Sequence, residues 1–130
     1  MKTFAFLCAA LALVCAPHAA SAHDLGLSKQ HTACMEKTGS TTMGMIECIS
    51  AEVQRQDAQL NKAYKALMVE LSGPRKAQLQ ETQRLWIKYR DANCAFYADP
   101  DGGSMARVSA NDCMLSATAA RARELESFRQ

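Results

Sequence analysis

No stretch of this 130-residue sequence reaches the roughly 20 consecutive apolar residues that a membrane-spanning helix needs; the longest, Phe4 to Ala16, is about a dozen. A strong charge of either sign is also missing. The formal net charge of +2 denies the chain a broad electrostatic footprint for nucleic acid or an anionic membrane. There is no glycine-rich phosphate loop, no H-E-x-x-H helix and no G-x-S-x-G elbow. Strand-like alternation, internal repeats and low-complexity segments are lacking too. These absences argue against a stable membrane anchor, a nucleic-acid partner and the familiar catalytic templates. No catalytic residue, metal ligand or cofactor site is expected.

What is present begins with an export signal. Lys2 precedes the apolar run, Pro17 follows it, and Ala20-Ser21-Ala22 forms an A-x-A site, so cleavage is expected between Ala22 and His23. Residues 1–22 are then a secretory signal peptide and residues 23–130 one exported domain, periplasmic or secreted. A lipoprotein signal would place a small residue before the modified cysteine, whereas Leu13 and Val14 precede Cys15. Loss of Lys2 from the 15 basic side chains leaves 14 against 13 acidic ones. A domain of this size buries a modest core, and covalent staples matter to it.

Cleavage also removes Cys8 and Cys15, leaving Cys34, Cys48, Cys94 and Cys113. An even set in an exported chain reads as two disulfides. Zinc would call for close C-x-x-C pairs or companion histidines. The cysteine spacings are 13, 45 and 18 intervening residues, and only His23 and His31 remain.

The large apolar residues Ile46, Ile49, Val53, Leu60, Tyr64, Leu67 and Leu71 recur at gaps of 3, 4, 7, 4, 3 and 4, the stripe of one long helix interrupted at Asp57. Thr41 or Thr42 is the expected N-cap, and Gly73-Pro74 the stop. A second helix is expected from about Arg75 to Tyr97, with Leu79, Thr82, Trp86, Tyr89, Asn93 and Phe96 facing inward. The turn-rich run from Ala98 to Ser104 ends it. A third helix is expected near Ser109, where Ser109 and Asp112 have capping-box spacing. The fold class is therefore all-α: a small three-helix domain with a long antiparallel helix hairpin and two disulfides.

The short turn at Gly73-Pro74 forces the first two helices to run antiparallel, so residues whose numbers sum to about 147 lie level. Asp57 faces Arg90 in that register, predicting a partly buried ion pair, and Asn61 lies level with Trp86 as a partner for its indole N–H. Cys48 and Cys94 are axially mismatched by about 7–8 Å at 1.5 Å rise per residue, too far for a bridge. That disfavours Cys48–Cys94, and the pairing expected is the two local pairs, Cys34 with Cys48 and Cys94 with Cys113.

Thr41, Met45, Cys48, Glu52, Asp57, Leu60, Asn61 and Tyr64, followed by QRLWIKYRDANC from Gln83 to Cys94, form a combined pattern. Gly102, Gly103, Ser104, Cys113, Thr118 and Arg121 complete it. Together they resemble the LprI-like lysozyme inhibitor family over about Cys34 to Leu125. Gly44 stands where that family usually has Glu, and Gln56 where Ala is common before Asp57. The resemblance implies a protein that binds a lysozyme or another peptidoglycan-active enzyme and blocks it without turnover. The alternative is a non-inhibitory envelope scaffold of the same fold, because fold does not determine function.

Several candidate groups have plainer explanations. His31 lacks an obvious nucleophile to serve. Glu52 and Asp57, as a paired-carboxylate site, are five residues apart and so project from different faces of their helix. Trp86 and Tyr89 follow the buried stripe rather than forming a sugar platform, and Arg84 and Arg121 suit ordinary helix pairing. The exposed loop from Asp99 to Arg107 is different. Its Asp99, Asp101, Gly102, Gly103 and Ser104 are the candidate partner-binding element, in which the aspartates would meet a basic cleft rim and Ser104 would hydrogen-bond near the enzyme's carboxylates; the alternative is a plain turn spanned by Cys94 and Cys113.

Overall fold

The computed structural model describes residues 25–129. The expected signal peptide, residues 1–22, lies outside them. Among the described residues there are four helices and no strand: α1 (Lys29–Lys37), α2 (Thr42–Glu70), α3 (Gly73–Phe96) and α4 (Gly103–Ser127). The all-α expectation holds, with one helix more than the sequence suggested. None of these helices is long and apolar enough to cross a membrane.

α2 begins where a capping residue was expected, with the Thr41 hydroxyl accepting from the Gly44 N–H at 3.3 Å. The absence of Glu at position 44 has a steric reason. A Cβ there would lie 2.8 Å from both Thr38 Cβ and Thr41 Oγ1, so the turn from α1 can press against α2 only over a glycine. α4 starts six residues earlier than Ser109. Gly103, with φ of 65°, takes the left-handed conformation that turns the chain, and Ser109 and Asp112 lie inside the helix rather than at its cap.

α2, α3 and α4 form a bundle in which α4 makes the principal contact with α2 and runs parallel to it. Val108 and Leu115 pack with Ile49 at one end; Ala122 and Leu125 pack with Leu60, Ala63 and Leu67 further along. Arg129 pairs with Glu70 at the far end, 2.8 Å apart. α3 runs antiparallel to α4: Leu79 joins the Leu125 cluster, Arg121 bonds Gln83, Arg90 bonds Thr118, and Cys94 is bridged to Cys113.

The α2–α4 seam is close because small side chains line it. Thr118, Ala119 and Ala122 are at most 1% exposed, and Ala63 lies opposite in the same cluster as Ala122. Ala122→Leu should therefore overpack the seam and cost about 1–3 kcal/mol. Urea unfolding with an unchanged slope and a lowered midpoint is the expected result; a midpoint within error of the native one would contradict the seam.

The expected Asp57–Arg90 ion pair is not formed. Because α4 occupies the space beside α2, the two residues stay level but face each other across a groove of about 370 Å³ between α2 and α3. Asp57 accepts from Asn61 at 2.8 Å, which also takes Asn61 away from the Trp86 indole. Arg90 turns toward α4, donating to Thr118 Oγ1 at 3.4 Å and to Asp91 at 2.8 Å. The gap in the apolar stripe at Asp57 is thus a solvent-facing position.

Both disulfides form as the local pairs expected. The Cα atoms of Cys34 and Cys48 are 5.7 Å apart, and those of Cys94 and Cys113 are 5.4 Å apart. The first holds α1, which has no buried residue of its own, against α2. A second tie reinforces it. Glu52 of α2 accepts from the Ser28 N–H at 2.9 Å and from the Ser28 hydroxyl, while that hydroxyl also caps α1 by accepting from His31 N–H.

Candidate functional site

The α3–α4 connection is a short, rigid tip. Tyr97 N–H donates to Cys94 O, Ala98 N–H to Ala95 O, and Gly102 N–H to Asp99 O. The Asp99 side chain accepts from Asp101 N–H at 2.9 Å, closing an Asx turn. Beneath the tip, the Cys94–Cys113 bridge joins the two helices.

Asp99, Asp101 and Gly102 lie in this turn, while Gly103 and Ser104 stand in the first turn of α4, all of them exposed. Met105 to Arg107 are helical, so the loop is shorter than the sequence implied. The surrounding side chains were not foreseen. Phe96, placed on the buried stripe by its spacing, is 86% exposed, and Tyr97 and Met105 flank the turn as further exposed apolar groups. Tyr89, expected inside, is likewise exposed at 67%. α3 buries only Leu79, Gln83 and Cys94, since its single neighbouring face is satisfied by α4. Beside the tip, Asn93, Tyr97, Ser109, Asp112 and Cys113 line a shallow groove of about 560 Å³.

The charge near the tip is uneven although the whole chain is almost neutral. Between Asp91 and Cys113 there are four aspartates, Asp91, Asp99, Asp101 and Asp112, against Arg107 alone. Asp91 is neutralised by Arg90, and the other three face solvent.

The framework residues occupy other places. Glu52 is fully buried and Asp57 exposed, so they do not converge as a carboxylate pair. Burial alone would raise the Glu52 pKa, but hydrogen bonds from Ser28, Gln56 and Arg55 outweigh it and lower the value from 4.5 to about 2. Trp86 is half-buried, with the Arg90 and Arg121 guanidinium carbons 4.9 and 5.8 Å from its ring centroid, which leaves it a packing role. Arg84 is paired with Glu81 at 2.8 Å. His31 stands in the first turn of α1. Among the described residues no group of three or more His, Cys, Asp or Glu side chains is arranged to hold a metal ion.

The chain is 27% identical over 100 residues to the uncharacterized protein R02472 of Rhizobium meliloti (strain 1021), covering 66% of this chain and 72% of that one. No solved structure matches it. The family model described as "Lysozyme inhibitor LprI" matches residues 34–125, from the first cysteine of the α1–α2 bridge to the last core leucine of α4. The chain belongs to the LprI lysozyme inhibitor family.

Proposed function

We propose that this protein is an exported inhibitor that blocks a lysozyme or another peptidoglycan-active enzyme by presenting the α3–α4 tip to its substrate cleft. The observation that carries the reading is the exposure of Phe96, Tyr97 and Met105 around a hydrogen-bonded, disulfide-supported turn. Large apolar groups held in solvent on a rigid element are the usual anchors of a protein interface, and pre-ordering the turn lowers the entropic cost of binding. Asp99, Asp101 and Asp112 supply local attraction to a cationic cleft rim even though the overall charge is near zero. Gly102 and Gly103 keep the turn narrow, and Ser104 stands at its base as a hydrogen-bonding group.

The protein acts as a stoichiometric binder, without cofactor or turnover. Two disulfides fit an oxidising compartment, the periplasm or the exterior, reached after removal of residues 1–22. The test is titration of several lysozymes with the oxidised protein beginning at His23. Stoichiometric loss of activity is expected. Phe96→Ala, and separately Asp101→Ala with Ser104→Ala, should each raise the inhibition constant at least tenfold, a hot-spot loss of more than about 1.4 kcal/mol. Inhibition undiminished in both variants would remove the tip from the mechanism. No inhibition by the unaltered protein would favour a scaffold role instead.

A further inference from the structure

At the end of the bundle away from the tip, the last turns of α2 and α4 and the first turns of α3 line a partly open cavity of about 320 Å³. Leu67, Leu71, Leu79 and Phe128 give it apolar walls. Two guanidinium side chains line it, Arg75 and Arg121, against one carboxylate, Glu124. Arg121 is only 5% exposed. Its Nε donates to Gln83 at 3.0 Å and its Nη1 to Glu124 at 2.6 Å, but its buried Nη2 has no acceptor among the described residues. Arginine does not lose its proton to escape burial, so an idle buried nitrogen is a standing demand for an acceptor. Among the described residues Arg75 bonds the neutral Gln78 side chain, at 3.0 Å, and no carboxylate. The start of α3 adds to the imbalance. Ser72 makes no side-chain cap, and the first turn carries no acidic residue, leaving the positive end of the helix dipole uncompensated.

We propose that this cavity binds a monoanionic amphiphile, a medium-chain carboxylate, with its tail against the leucines and Phe128 and its headgroup at Arg75 and Arg121. Two cations and one anion leave a charge of +1, which suits a monoanion; a dianionic phosphate would be opposed by Glu124. At about 30 Å³ for each water-sized group the cavity accepts roughly ten heavy atoms, the size of octanoate.

The experiment is an NMR titration of the ¹⁵N-labelled, oxidised protein beginning at His23 with octanoate, octanol and octyl phosphate. Saturable shifts confined to residues 67–82 and 121–128 are expected, with a Kd for octanoate on the order of 0.1–1 mM. Octanol and octyl phosphate should each bind at least fivefold more weakly. Arg75→Gln should weaken octanoate by a similar factor, and Thr82→Phe, which fills the mouth without removing Arg121, should abolish binding. Equal affinity for octanol, full binding by Thr82→Phe, or shifts centred on the exposed Phe96 would each overturn the proposal. The readout is independent of any lysozyme.

Discussion

Glu52→Ala is expected to be the most damaging single substitution in the domain, lowering its stability by about 3–5 kcal/mol. The carboxylate is fully buried, and each of its oxygens is engaged: Ser28 N–H at 2.9 Å and the Gln56 amide at 2.8 Å on one, Arg55 at 2.6 Å and the Ser28 hydroxyl on the other. Truncation strands those donors, and the Gln56 amide is itself buried. It also unties the segment before α1, so hydrogen exchange should quicken at α1 amides before it does in the α2–α4 seam. For a small domain of about 5–15 kcal/mol total stability this loss is a large fraction.

The same contacts set a pH dependence. The folded carboxyl titrates near 2 and the unfolded one near 4.5. Its contribution is therefore complete above the unfolded value, declines as the pH falls below it, and is gone once the pH passes below about 2. The difference of about 2.5 units corresponds to about 3 kcal/mol. Urea unfolding of the native protein and Glu52→Gln at pH 7, 4, 3 and 2 should show the gap between them shrinking with acid. A gap that stays constant over that range would mean that the Glu52 charge is not what the contacts stabilise.

How far the sequence discloses this molecule depends on what each element uses to hold itself. α2 was legible because a heptad-like stripe ends in Gly73-Pro74, while for the disulfides helix rise spoke only against Cys48–Cys94, and the structure forms the local pairs expected. α1 left no such trace. Nine residues without a buried side chain form too short a helix to stand by propensity, and it rests on the Cys34–Cys48 bridge and the Ser28–Glu52 tie, both long-range. The level register of Asp57 and Arg90 was readable, but their separation was not, since it depends on how closely α4 seats against small residues of α2. The exposure of Phe96 and Tyr89 misled for a related reason. Spacing of three and four identifies a helix face, yet nothing in it says whether a neighbour covers that face. For the tip, glycine and aspartate marked a turn, while its apolar border emerged only from the packing.

Opening the two disulfides separately should distinguish stability from function. Each loop is of similar size, with sequence separations of 14 and 19, so paired alanine substitution at either bridge is expected to lower stability by about 3 kcal/mol through the freed unfolded chain. Their consequences for an enzyme partner should differ. Cys34–Cys48 secures α1, which packs through Met35 at the Ile49–Val108 end of the bundle but contributes no residue to the tip, whereas Cys94–Cys113 joins the two helices that carry Phe96, Tyr97 and Met105. Without the second bridge the turn must be ordered during binding, and the anchors lose their fixed separation. At a temperature where both variants remain folded by circular dichroism, the variant lacking Cys94–Cys113 should inhibit at least tenfold more weakly. The variant lacking Cys34–Cys48 should inhibit as the native protein does. Equal inhibition by the two would show that the tip does not depend on its staple, and would move the contact with the enzyme to another face of the bundle.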